Sequence, residues 1–170
     1  MDSNYKPLAG KFALVTGGGR GIGAGIALEL AKKGASVAVN YAHSPNSAEK
    51  LVKEIESYGV RAVAIQADLT QVEEIDALFC KVIDEFQYLD IVVSNSGTEK
   101  FAPLTTTTLG DFNQVFDLNT RAQFFVAKNA LLHIRPRGTL ILMSSIAAGI
   151  GIAGHALYAG SKSAVEGFTW

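Results

Sequence analysis

The sequence predicts an α/β fold, a doubly wound parallel sheet with helices on both faces. Short apolar runs of strand length alternate with segments whose apolar residues recur at helical spacing. Glycines punctuate the joints, as at Gly34 and Gly59. The first joint, Thr16 to Gly23, is itself built mainly of glycine. Strands that alternate with helices call for a parallel sheet, and right-handed crossovers wind it both ways.

The elements follow in order. Phe12 to Thr16 reads as the first strand because its apolar run ends in glycines. Ile22, Ile26 and Leu30 then recur at helical spacing, and Gly34 supplies a stop. Ser36 to Asn40 is the second strand. Ala48, Leu51, Val52 and Ile55 line a second helix that Gly59 ends. Val60 to Gln66 is the third strand. Ile75, Leu78, Phe79, Val82, Ile83 and Phe86 give a third helix, and Asp90 to Ser94 a fourth strand. Pro103 and Thr105 to Thr108 mark a loop and a helix N-cap. Helices over roughly Leu109 to Asp117 and Asn119 to Ile134 precede a fifth strand, Gly138 to Ser144. A Gly/Ala-rich loop, Ile146 to His155, leads to a sixth helix that starts near Leu157 and still runs at Trp170. No linker or composition shift divides the chain, so one domain is expected. With no signal closing the last helix and nothing covering the far edge of the fifth strand, the C-terminal part of the fold is expected to be missing.

Composition excludes several classes. The chain has 170 residues, 48% hydrophobic and 18% charged, which is ordinary for a globular domain and unlike a disordered one. A formal net charge of -1 offers no electrostatic reason for a nucleic-acid partner. Cys80 is the only cysteine, so no intrachain disulfide forms, and its place in a helical pattern predicts a small buried residue. No signal-peptide stretch occupies Met1 to Lys11 and no apolar run is long enough to span a membrane. A cytoplasmic protein is expected, with no metal site.

The glycine joint carries the first chemistry. A pyrophosphate sits against a helix N-terminus, where free N–H groups and the helix dipole favour an anion. Side chains there would hold a dinucleotide away, so glycines admit the backbone. The spacing Gly17-x3-Gly21-x-Gly23 fits cleanly, and Gly19, Gly21 and Ala24 meet the stricter pattern only with alanine last. A tight turn alone is the plainer alternative. NAD-preferring sites place an acid near the end of the second strand, but no acid lies between Glu29 and Glu49. Arg20 stands in the loop, where a guanidinium reaches a 2′-phosphate, and His43 and Ser44 add donors. NADP(H) is therefore the expected cofactor. An Arg20 that is merely solvated is the alternative.

Tyr158 and Lys162 stand four apart on the last helix, so they share a face. An ammonium near a phenol stabilises the phenolate, which makes the tyrosine a proton donor or acceptor near neutral pH. Ser145 precedes Tyr158 by thirteen positions and closes the fifth strand, while Asn119 opens the long helix before that strand. Strand C-terminal ends converge at the ligand crevice of such sheets, which brings Ser145, the glycine loop and Asn95 together.

Thr16-Gly17-x3-Gly21-x-Gly23, Ser94-Asn95-Ser96-Gly97, Asn119, Ser145 and Tyr158-x3-Lys162 resemble, in order and spacing, the short-chain dehydrogenase/reductase family. The resemblance runs from about Leu8 to Trp170 and implies a Rossmann-like fold that continues beyond this chain. It implies Tyr158 as general acid, Lys162 as ribose ligand and tuner of Tyr158, Ser145 as the group that polarises the carbonyl, and Asn119 as the holder of a relay water. Ser144 is then structural. Asp68 matches the position that contacts adenine. The implied cofactor site comprises Gly17, Arg20, Gly21, Ile22, Gly23, Asn40, Tyr41, His43, Ser44, Asp68, Leu69, Asn95, Gly97, Tyr158 and Lys162. Ser94-Asn95-Ser96-Gly97 departs from the commoner Asn-Asn-Ala-Gly but keeps the Asn and Gly.

Within the family, Val39 to Ser44, Ser94 to Gly97, Asn119 to Phe125 and Leu140 to Met143 are similar to the fungal hydroxynaphthalene and versicolorin reductases. That likeness implies NADP(H)-dependent reduction of a ketone or quinone carbonyl, or oxidation of the corresponding alcohol, on an aromatic polyketide-type substrate. Other readings stay open: a ketoacyl reductase, a sugar dehydrogenase, or a nucleotide-binding module without turnover. A homodimer or homotetramer is implied for a full-length form.

Overall fold

The computed structural model describes residues 5–169. Five parallel strands form one sheet in the order β3-β2-β1-β4-β5. They are β1 Phe12–Val15, β2 Ser36–Tyr41, β3 Ala62–Gln66, β4 Leu89–Ser94 and β5 Ile134–Leu142. The helices are α1 Gly21–Lys32, α2 Pro45–Glu56, α3 Val72–Phe86, α4 Leu109–Phe116, α5 Ala122–His133 and α6 Ala156–Gly167. The doubly wound parallel sheet is as the alternation predicts.

Both faces of the sheet are buried, which is why its central strands are apolar on both sides rather than alternating with polar residues. Leu14, Ala38 and Val92 point to one core, which α3 fills with Ile75, Leu78, Phe79 and Val82 and α5 completes with Val126 and Ala130. Val15, Val37, Val39 and Val93 point to the other, which is packed by Ala27 and Ala31 of α1 and Leu51 and Ile55 of α2. β1 lies at the centre, paired to β2 by Val15↔Val39 and to β4 by Val15↔Val93. The reversal of strand order beside β1 opens a crevice at the carboxyl ends of the strands.

Several boundaries and exposures differ from expectation. Ile22 is 70% exposed, and α1 instead buries Gly23, Ala27 and Ala31. Only small residues let this helix lie close against the sheet. Cys80 is exposed, because α3 turns Ile75, Leu78, Phe79 and Val82 inward and leaves position 80 on the outer side. No glycine ends α3; Gln87 takes the left-handed conformation instead, with φ 69°. The two helices expected across positions 109–134 are joined without a break by a π-helical turn, Asp117–Arg121. β5 begins at Ile134, paired to Leu89, and ends at Leu142, paired to Ser94 where β4 itself ends. Ser145 therefore does not close the strand; it caps a short 3₁₀ turn, Ile146–Ala148. The sixth helix closes at Gly167, and Trp170 lies outside the described residues.

Candidate active site

A cavity of about 820 Å³ opens at the carboxyl ends of β1 to β4. Its floor is the glycine loop. Gly17 has φ +58°, and a Cβ there would stand 2.9 Å from Ser96 Oγ. A Cβ on Gly23 would stand 2.4 Å from Gly17 O and 2.6 Å from Asn95 Nδ2. The loop is held from both sides. Asn40 Oδ1 accepts Gly17 N–H at 3.1 Å, while Asn40 Nδ2 donates to Ala67 O at 3.1 Å. Asn95 Nδ2 donates to Thr16 O at 3.0 Å, and Asn95 N–H donates to Thr16 Oγ1 at 2.9 Å. Asn40 is buried and its amide is spent on the protein, so it braces the loop rather than offering a free donor.

Gly17, Arg20, Gly21, Ile22, Gly23, Asn40, Tyr41, His43, Ser44, Asp68, Leu69, Asn95 and Gly97 all line this cavity. Arg20 is exposed at the start of α1. Ser44 precedes α2 without a side-chain capping bond, so its hydroxyl is uncommitted there. Asp68 Oδ1 accepts from Thr70 N at 3.0 Å and from Thr70 Oγ1 at 2.9 Å. Oδ2 is left without a donor among the described residues.

Ser145, Asn119, Tyr158 and Lys162 are not in the lining of this cavity. Gly97 links the two parts: a Cβ on it would lie 3.3 Å from Asn119 Oδ1 and 3.4 Å from Lys162 Nζ. Lys162 is 3% exposed, and burial pushes its ammonium below the ordinary lysine range. Its Nζ donates to Met143 O at 2.7 Å and lies 5.9 Å from the centroid of the Tyr158 ring. Ser145 Oγ accepts Ala147 N–H at 3.2 Å, which leaves its own proton to donate. Ser144 Oγ donates to Glu166 Oε1 at 2.9 Å, so that hydroxyl is committed to α6.

Sequence reasoning missed the frame of the catalytic side. Asn119 is fully buried: its Oδ1 accepts Thr98 N–H at 2.8 Å, and its Nδ2 donates to Thr98 O at 2.8 Å and to Ser161 Oγ at 3.0 Å. Ser161 Oγ in turn donates to Tyr158 O at 2.7 Å. A serine inside a helix carries no signal of such a tie. Thr70 could have been found, since a threonine two residues after an aspartate is a local turn signal.

Residues 11–170 match the short chain dehydrogenase family. The chain belongs to that family. Hydroxynaphthalene reductase arp2 of Aspergillus fumigatus is 68% identical over 165 residues, which cover 97% of this chain and 60% of that protein. Tetrahydroxynaphthalene reductase PfmaG of Pestalotiopsis fici is 53% identical over 96% of this chain and 60% of its own length. The chain thus spans about three fifths of these curated relatives. Among solved structures, a short chain dehydrogenase of Burkholderia cenocepacia in complex with NADP superposes with a TM-score of 0.93 at 40% identity, over 96% of this chain and 67% of that one. A blue fluorescent protein from a metagenomic library, in complex with NADPH, gives 0.92 at 39% identity over 95% and 67%. Among the described residues no helix is long and apolar enough to cross a membrane.

Proposed function

We propose that this chain forms a single dinucleotide-binding domain that binds NADP(H) and serves the reduction of a ketone on a hydroxynaphthalene-type aromatic polyketide. One observation carries the reading. A glycine cradle with no room for a Cβ at Gly17 or Gly23 leads, through Gly97, to a buried lysine on the same helix as Tyr158. The cradle fits a pyrophosphate, because the N-terminus of α1 meets it with backbone N–H groups and no intervening side chain. Arg20, His43 and Ser44 at the rim, with no acid in the chain segment that follows β2 up to Glu49, suit a 2′-phosphate. The NADP and NADPH held by the two solved relatives support the same choice, and the hydroxynaphthalene reductases support the substrate class.

When bound, the cofactor supplies the hydride. Tyr158 then gives its phenolic proton to the carbonyl oxygen, and the Lys162 ammonium beside it favours the phenolate left behind. Ser145 donates its free hydroxyl proton to the same oxygen and polarises the carbonyl. Asn119 has no side-chain atom to spare, so any water it positions is held through its backbone carbonyl in the π turn. Copies of the protein pair through α5, whose Phe124, Leu131 and Leu132 are 49%, 75% and 70% exposed.

The test is Tyr158→Phe, assayed with NADPH and a tetrahydroxynaphthalene. Removing one hydroxyl should lower turnover by roughly 10²–10⁴-fold and leave NADPH binding, followed by its fluorescence, within about twofold. Saturable NADPH binding without turnover in the unmodified chain would leave a nucleotide-binding module and sink the reductase reading for these residues alone.

A further inference from the structure

Arg121 ends the π turn and bridges two segments that are remote in sequence. Its Nη1 pairs with Asp117 Oδ1 at 2.8 Å, and its Nη2 donates to Thr70 O at 2.8 Å. Thr70 is the residue whose N–H and hydroxyl hold Asp68 Oδ1. Asp68, Leu69, Thr70, Asp117 and Leu118 all line the cavity, whereas Arg121 does not. The arginine therefore stands behind the wall and ties its two halves together. We infer that Arg121 is a cofactor-positioning residue: it sets the gap between the segment 68–70 and the π turn, and with it the aim of Asp68, so that the adenine of the dinucleotide is gripped there.

The residue type follows from the task. A planar guanidinium serves two acceptors in fixed directions, and an ammonium does not. The Arg121 side chain is 45% exposed and its partner Asp117 32% exposed, and ion pairs at such sites add little to global stability. The bridge is therefore felt in the shape of the cavity and hardly at all in whether the chain folds. The Asp68 carboxylate, with Oδ2 unspent, accepts from an exocyclic amine; a base that carries an oxo group in its place turns an acceptor to the same position and keeps a donor only on the neighbouring ring N–H, so the fit is poorer. This inference rests on the NADP(H) reading.

The experiment compares Arg121→Gln and Arg121→Lys with the unmodified chain. Binding is titrated with NADPH and with its hypoxanthine analogue, in which an oxo group replaces the adenine amine, and the unfolding midpoint is measured without ligand. The unmodified chain should prefer NADPH over the analogue. Arg121→Gln should bind NADPH roughly tenfold more weakly, lose most of that preference, and melt within about 2 °C of the parent, a shift expected for a loss well under 1 kcal/mol. Arg121→Lys keeps the charge and should stay weakened. Equal weakening of both ligands with the preference intact overturns the inference, as do unchanged NADPH binding, full rescue by lysine, or an unmodified chain that does not distinguish the two bases. Failure of the unmodified chain to bind either ligand overturns the NADP(H) reading itself, and this inference with it.

Discussion

The two ends of the sheet handle polar groups in opposite ways. At the carboxyl ends of β1 to β4, the cavity is rimmed by groups with spare capacity: the exposed Arg20, the Ser44 hydroxyl and Asp68 Oδ2. At the amino ends of β1, β4 and β5 sits Asp90, 5% exposed, with both of its carboxylate oxygens engaged. It accepts Phe12 N–H at 2.9 Å, Lys11 Nζ at 3.1 Å and Arg135 Nη2, and the Arg135 guanidinium lies 3.9 Å from the centroid of the Tyr88 ring. Counted by charge alone, the amino end looks the more functional. Counted by unspent hydrogen-bonding capacity, it is a fastener that holds three strand starts together, and the carboxyl end is where a ligand belongs.

The largest effect that would break this comparison lies in the glycine cradle. Gly23→Ala places a methyl 2.4 Å from Gly17 O and 2.6 Å from the braced Asn95 amide, so either the loop or α1 must move. NADPH binding should fall by more than about 100-fold, and stability by roughly 3 kcal/mol, the upper range for overpacking. Gly25→Ala on the same helix has nothing within 4 Å of the new methyl. It should be neutral or stabilising by about 0.5–1 kcal/mol. Nucleotide titration and denaturant unfolding read both. Wild-type binding by the Gly23 variant would show that the cavity is not a close-approach site.

Asp90 should do the reverse, moving stability and leaving binding alone. Burial, the strongest single influence on its carboxyl, pushes toward the neutral form. The hydrogen bonds from Arg135, Phe12 N–H and Lys11 together outweigh burial and hold it below the ordinary aspartate value. A carboxyl lowered in the folded state contributes stability above its unfolded value and loses it as pH falls through the folded one. Asp90→Asn should therefore cost about 2 kcal/mol near neutral pH, as for a hydrogen bond to a charged group. The difference from the parent should hold down to about pH 4 and shrink below it. NADPH affinity at pH 7 should stay within about twofold. A difference independent of pH between 6 and 2 would show that the charge of Asp90 is not what fastens the strands.

The same contrast explains what could be read from sequence. Backbone-driven features were legible. The doubly wound parallel sheet follows from alternation and handedness, and the cradle from Gly17, Gly21 and Gly23, because a pyrophosphate site leaves little choice of residue. Features that depend on long-range side-chain ties were not. Nothing in the pattern around Asp90 announces Lys11 and Arg135 as partners, which are 79 and 45 residues away. The π turn was invisible, since its five residues read as the junction of two helices. Asn40 was legible as a site residue but not as a brace, because its role depends on the Ala67 carbonyl of the neighbouring strand end. Cys80 was placed inside by helical spacing, but tertiary packing turned it to the outer face.

The smallest expected effect concerns selectivity at the open end. Arg20 is exposed and the Ser44 hydroxyl makes no capping bond, so a 2′-phosphate would meet a solvent-exposed guanidinium and a helix start rather than a buried clamp. A charge-assisted bond at such a site is worth about 1–1.5 kcal/mol, or roughly tenfold in affinity. Arg20→Gln should therefore lower the preference for NADPH over NADH about tenfold, with NADH affinity unchanged. The loss should be smaller at high salt, because exposed charges are screened. The measurement is a pair of titrations at low and high ionic strength. A preference that survives in the variant would move the 2′-phosphate contact to Ser44 and the backbone at the start of α2. The open end would then rely, like the cradle, on main-chain donors more than on the exposed Arg20.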